Sequence, residues 1–180
     1  MSNYNLIKLK EDNNGGNRYL LAWDAARVVS VGKPVGHYVN EAICHYSDSP
    51  ATYIEGVRDS VVFNEEVSVV DGVPVYTSTV TAIVPKYRPF VMDQLMKWDK
   101  KRFIVVVPDR NGKNVIIGSQ DQPCFFSINK RGSKGSFDER NEIEISFTVT
   151  RPAPAYNYTP TQALVNTAGL ITIGNKVKVA

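Results

Sequence analysis

The segment from Val61 to Val84 constrains the fold more than any other, because it reads as two long alternating strands hinged on Asp71-Gly72. An Asp-Gly pair supplies the positive φ angles of a two-residue type I′ turn, and that turn fixes the register of every residue pair behind it. With this turn as the loop, Val61, Phe63, Glu65, Val67 and Val69 share a face with Pro74, Tyr76, Ser78, Val80, Ala82 and Val84. The opposite face gathers Asn64, Glu66, Ser68, Thr77, Thr79 and Thr81 in its middle, with Val70, Val73 and Val75 near the turn. Such a hairpin belongs to a sheet with one face for a core and the other for water or a neighbouring subunit. Glu65 sits on the apolar face, which implies a basic partner such as an arginine or a local bulge in the register.

The rest of the chain fits around this hairpin as a single domain, since 180 residues suffice for one core without staples. Arg18 to Trp23 and Ala26 to Val31 read as strands, and Pro34 to Ser60 reads as a long irregular loop with at most one short strand or helical turn. Phe90 to Lys101 is the one good helix, with Phe90, Val91, Leu95, Met96 and Trp98 near helical spacing. Phe103 to Val107 is a continuous apolar run that predicts a fully buried strand, and Asn114 to Gly118 returns beside it. Pro123 to Ile128 follows, and then the cleanest alternation: Ile143, Ile145, Phe147 and Val149 point one way, Glu142, Glu144, Ser146 and Thr148 the other. The expected fold is mainly β, an antiparallel β-sandwich or barrel with one flanking helix and extended terminal arms. Residues 1–17 form the N-terminal strand or arm, 18–151 the β domain with its helix at 90–101, and 152–180 a Pro-rich linker and C-terminal arm. Phe63, Tyr76, Trp98, Phe147 and Val149 are the expected core between sheet and helix.

Charge is unevenly placed. Up to Val84 six basic residues face ten acids, whereas from Pro85 to Arg151 thirteen basic residues face eight. Complementary halves suit head-to-tail contacts between copies of one subunit, or pairing of the two sets within one monomer. A net charge of +3 is too small for a dedicated nucleic-acid binder. Cys44 and Cys124 have no CxxC or zinc-type spacing, and Cys124 within PCFFS reads as a small buried hydrophobe. No stretch approaches the ~20 apolar residues of a membrane span, so a soluble protein with no membrane partner is expected.

Motifs that carry chemistry are missing. GSKGS and GNKVKVA lack the strand-loop-helix context of a phosphate loop, and no GxSxG, HExxH or kinase set is present. His37 and His45 are the only histidines, and neither lies in a motif that supplies a nucleophile and an orienting acid. Glu65 and Glu66 are adjacent on a strand and point to opposite faces, so they cannot act together as acid and base. The expectation is no enzyme, with no catalytic residue, metal or cofactor. Trp23, Tyr38 and Tyr46 are candidate stacking residues for a different class, a monomeric β-sandwich that binds carbohydrate or peptide.

The stretch from Phe103 to Arg151 runs from the buried strand FIVVV through NVIIGSQDQPCFFS and the loop GSKGSFDERN into EIEISFTVTRPAP. Together with the long hairpin and the helix after it, it resembles the tail-tube subunits of tailed bacteriophages. The resemblance implies a virion structural protein, made in the host cytoplasm and carried in the tail or neck. Its copies assemble into a ring, a hexamer or a dodecamer, that joins other tail or neck proteins and passes DNA without binding it specifically. In that picture Asp71 and Gly72 set the hairpin, and Asn64, Glu66, Ser68, Thr77, Thr79 and Thr81 face the lumen. Lys130, Arg131, Lys134 and Arg140 are the expected inter-subunit contacts, meeting acids of the N-terminal half.

Overall fold

The computed structural model describes residues 17, 19–46, 49, 51–57, 59–85, 89–108, 113–132 and 142–159. Twelve strands and one α-helix appear among them. The strands are β1 (Tyr19–Asp24), β2 (Val28–Ser30), β3 (Tyr38–Val39), β4 (Cys44–His45), β5 (Thr52–Glu55), β6 (Val62–Val70) and β7 (Val73–Pro85), then β8 (Arg102–Pro108), β9 (Asn114–Ile117), β10 (Cys124–Gly132), β11 (Glu142–Arg151) and β12 (Tyr156–Tyr158). The helix α1 spans Pro89–Trp98. Ten strands join one sheet in the order β3-β12-β9-β8-β10-β11-β7-β6, with β1 and β5 branching from β8; β2 and β4 make a small second sheet.

The molecule is mainly β, as its alternation predicts, but two features of the expected sheet differ. It is mixed, because β12 runs parallel to β3 while its other pairings are antiparallel. It is also not a closed barrel. The sheet curls until Asn17 meets Val61 in a single antiparallel bridge, and no ladder of described residues continues from that contact.

β8 explains why the sheet branches. Its residues pair with β1 along one edge (Ile104 with Trp23) and with β9 and β10 along the other (Val106 with Ile116, Phe103 with Cys124). Phe103, Val105 and Val107 point into a large core inside the curl, together with Leu20, Val80, Ile145 and Phe147. Ile104 and Val106 point the other way, into a second core with Trp23, Ile43, Ile116 and Tyr158. A continuous FIVVV run is the composition a strand needs when both of its faces are dry.

The helix plugs the inside of the curl with Met92 and Leu95, which are buried. Trp98 joins an aromatic cluster with Phe103, Phe126 and Phe147, neighbouring rings lying 5.2–6.1 Å apart. The helix ends at Trp98, shorter than expected, and Lys101 N–H closes the last turn on Trp98 O at 2.8 Å. Phe90 and Met96, expected to pack inward, are instead exposed. Of the expected core, Phe147 and Val149 are buried and Phe63 and Trp98 half-buried against it; Tyr76 is half-buried outside either cluster.

The segment from Pro34 to Ser60 holds three short strands, β3, β4 and β5, where one was expected. Much of it covers the second core: Val39 and Ile43 are buried there, and the Ile43 N–H donates to Tyr158 Oη at 3.1 Å. Past Arg151 the chain bends at Pro152 and rejoins the sheet as β12, so the expected linker is only a few residues long. Residues 1–16 and 160–180, where terminal arms were expected, lie outside the described residues.

Candidate functional site

The hairpin forms in the predicted register. Asp71 and Gly72 adopt φ angles of 51° and 80°, and nine rungs run without a bulge from Val70 opposite Val73 to Val62 opposite Thr81. Asn64, Glu66, Ser68, Thr77, Thr79 and Thr81 therefore share the face turned away from the large core.

That face is wider than the hairpin. β11 pairs with β7 over ten residues and places Thr150 beside Thr77, Thr148 beside Thr79 and Ser146 beside Thr81. The hydroxyls meet across the strands: Thr77 Oγ1 lies 3.2 Å from Thr150 Oγ1, and Thr79 Oγ1 3.3 Å from Thr148 Oγ1. β10 extends the rows to Phe125 and Ser127. A bulge at Asn129 lets its amide accept from Ser146 Oγ at 2.8 Å. From Val61 to Val84 the chain has three acids and neither lysine nor arginine. The central rows of this face thus offer hydroxyls, amides and the Glu66 carboxylate.

At the side of the face, Arg102 lays its guanidinium 3.9 Å above the centre of the Phe125 ring, which is itself exposed. Asp121, Gln122, Thr148 and Thr150 complete an open depression of about 460 Å³ around them. Local pattern does not signal this pairing, because it needs the Phe125–Arg102 rung between two strands that are not neighbours in sequence.

On the inner face Glu65 is half-buried in register, without a bulge. Its carboxylate accepts from Ser78 Oγ and from the Ala155 N–H, both at 2.7 Å. Arg151 sits on the same face, its Nη2 donating to Pro154 O at 2.7 Å and its guanidinium 5.0 Å from the Tyr156 ring centre. Burial pulls the Arg151 pKa down, opposed by Tyr156 and by Glu65. The expected basic neighbour of Glu65 is thus Arg151, acting through its field, while the carboxylate's hydrogen bonds come from Ser78 and the chain at Ala155.

The other expected residues are scattered. Lys130 and Arg131 are exposed near the C-terminal end of β10, Lys130 opposite Glu144 and Arg131 opposite Ile143. Lys134 and Arg140 lie outside the described residues. Trp23 is buried in the second core, which removes it as a stacking residue, whereas Tyr38 and Tyr46 are exposed. His37 is exposed, its ring 6.3 Å from that of Tyr156. His45 is fully buried, with Nδ1 2.9 Å from Tyr46 O and Nε2 without a partner. Both cysteines are free thiols, and Cys124 is buried as its sequence context predicts. Among the described residues no group of three His, Cys, Asp or Glu is placed to hold a metal, and no helix is long and apolar enough to cross a membrane.

No protein-family model matches the chain, and comparison with curated proteins and with solved structures returned no match.

Proposed function

We propose that this chain is a non-enzymatic virion structural protein, a ring-forming subunit of a bacteriophage tail tube or neck that surrounds a DNA channel. The observation that carries the reading is the broad hydroxyl face of β6, β7 and β11, which holds no cation in its central rows on these three strands, the row through Thr79 and Thr148 reaching its first cation only at Arg102 on β8, stacked on Phe125. A duplex passing such a surface meets hydroxyls and a carboxylate, none of which captures phosphate as lysine or arginine does, so it slides without sticking. Asn64, Glu66, Thr77, Thr79 and Thr81 would line the lumen, and the larger core behind them keeps the wall rigid. The likeness of Phe103 to Arg151 to tail-tube subunits supports the same reading.

The test is native mass by light scattering, followed by negative-stain microscopy of the same sample at low and moderate salt. Rings or stacked tubes are the expected result, and their symmetry separates tube from neck. A chain that stays at 20.0 kDa under every condition would overturn the proposal. One observation favours a second reading, a monomeric carbohydrate-binding module: the exposed Phe125 beside Arg102, Asp121 and Gln122 has the make-up of a shallow sugar subsite. Glycan titration that saturates on the wild type and vanishes with Phe125→Ala would favour that reading.

A further inference from the structure

The depression at the side of the hydroxyl face has a floor and a wall. Its floor is three strands abreast, with Phe125 of β10 standing between Arg102 of β8 and Thr148 of β11, and Thr150 two residues further along β11. Its wall is the turn from β9 to β10, and that turn is fixed. Ser119 N–H donates to Gln122 O at 3.0 Å and Gln122 N–H to Ser119 Oγ at 3.1 Å, which closes the turn on itself. The Gln120 side-chain amide donates to Val28 O and Val29 O at 2.8 and 2.9 Å, which ties it to β2. Asp121 and Gln122 are therefore offered to the depression from a preset backbone, and little ordering is left for a ligand to impose.

The chemistry gathered there is apolar below and mixed in sign above. The Arg102 guanidinium covers one face of the Phe125 ring, 3.9 Å from its centre, yet Phe125 stays 58% exposed. A partly open ring in a depression of about 460 Å³ is a stacking surface of small-molecule size. Around it the Asp121 carboxylate accepts hydrogen bonds, Arg102 donates them, and Gln122, Thr148 and Thr150 do both. One cation and one carboxylate offset each other, so an anion gains no net attraction. The occupant that matches is neutral, with an apolar face and neighbouring groups that each donate and accept. A pyranose has both: its C–H face lies on an aromatic ring, and two adjacent hydroxyls give a hydrogen to a carboxylate while accepting from a guanidinium or an amide.

We propose that this depression binds a neutral pyranose, stacked on Phe125, with a pair of adjacent hydroxyls held by Asp121 and Arg102. The inference rests on the second reading of the chain, as a carbohydrate-binding module, and it specifies the class of sugar and the groups that select it.

The test is saturation-transfer NMR on the full chain, which reads weak binding whatever the mass of the protein. The probes are methyl β-glucopyranoside, methyl β-galactopyranoside, methyl α-mannopyranoside and, as the charged comparison, methyl β-glucuronide. The wild type is expected to saturate at least one neutral pyranoside, most strongly at its ring C–H protons, and to hold the glucuronide no more tightly than the glucoside. Phe125→Ala is expected to abolish the signal and Asp121→Ala to weaken the affinity about tenfold. Both side chains are exposed, so unchanged circular dichroism and melting temperature verify the fold. A wild type that binds a pyranoside as tightly as either variant does would overturn this inference and leave the carbohydrate reading standing, as would binding of the glucuronide alone. A wild type that saturates none of the four probes would overturn both.

Discussion

Two buried polar residues set the conditions under which the fold survives. Burial pushes the Cys124 thiol from 9.0 up to about 12, the charge of Arg151 acting weakly the other way. The folded thiol keeps a proton that the unfolded one releases, so its stabilisation is complete below about pH 9 and lost as pH rises through about 12. Burial also raises the Tyr158 hydroxyl above its usual 10.0, against the opposing effect of its bond to Ile43, which adds to the same alkaline loss. The melting temperature is expected to fall steadily across that range, and Cys124→Ala to flatten the slope even though it lowers the starting value. Glu65 makes a separate prediction. Glu65→Ala leaves the Ala155 N–H and the Ser78 hydroxyl without their acceptor and is expected to cost about 2–3 kcal/mol in urea unfolding. Glu65→Gln, which keeps an acceptor oxygen, is expected to cost less than half of that.

At the scale of elements, turns and strands divide sharply in what the sequence discloses. The β6–β7 register was legible because Asp71-Gly72 is local chemistry, and β11 because Ile143, Ile145, Phe147 and Val149 alternate without interruption. Gly72 and Gly118 both have φ near +80°, yet they predict different costs. A Cβ on Gly72 meets nothing, so Gly72→Ala is expected to cost only backbone strain, about 1–2 kcal/mol. On Gly118 it would lie 2.9 Å from Cys124 Sγ and 3.0 Å from Phe103 O, and Gly118→Ala is expected to lower thermal stability distinctly more. Beyond the two hairpins, β6 with β7 and β8 with β9, the partners of the strands were not legible. The union of Thr77 with Thr150, the Arg102–Phe125 stack and the return of 156–158 into the sheet depend on pairings between segments far apart in sequence. The short strands of 34–60 were hidden for a related reason: two-residue pairings leave no periodicity to read. Phe90 and Met96 misled because helical spacing locates an apolar stripe only roughly, and here Met92 and Leu95 define it.

At the scale of the whole molecule, the proposed channel and the branching strand each have a measurable signature. Asn64→Lys with Glu66→Lys is expected to give the assembled protein an affinity for duplex DNA that falls steeply between about 50 and about 200 mM salt, while the wild type shows none in the same anisotropy titration. Cations placed elsewhere on the outside of the assembly are expected to have no comparable effect on threading. The fold itself is bound together by β8, whose alternate side chains anchor the two cores. Neither core can lose its packing without withdrawing a wall from the other, so the chain has no natural line along which to come apart in halves. Heating is expected to give a single calorimetric transition with equal calorimetric and van't Hoff enthalpies, and the amides of Ile104 and Val105 to exchange with solvent only when the entire molecule opens. A chain built this way is either wholly folded or not folded at all.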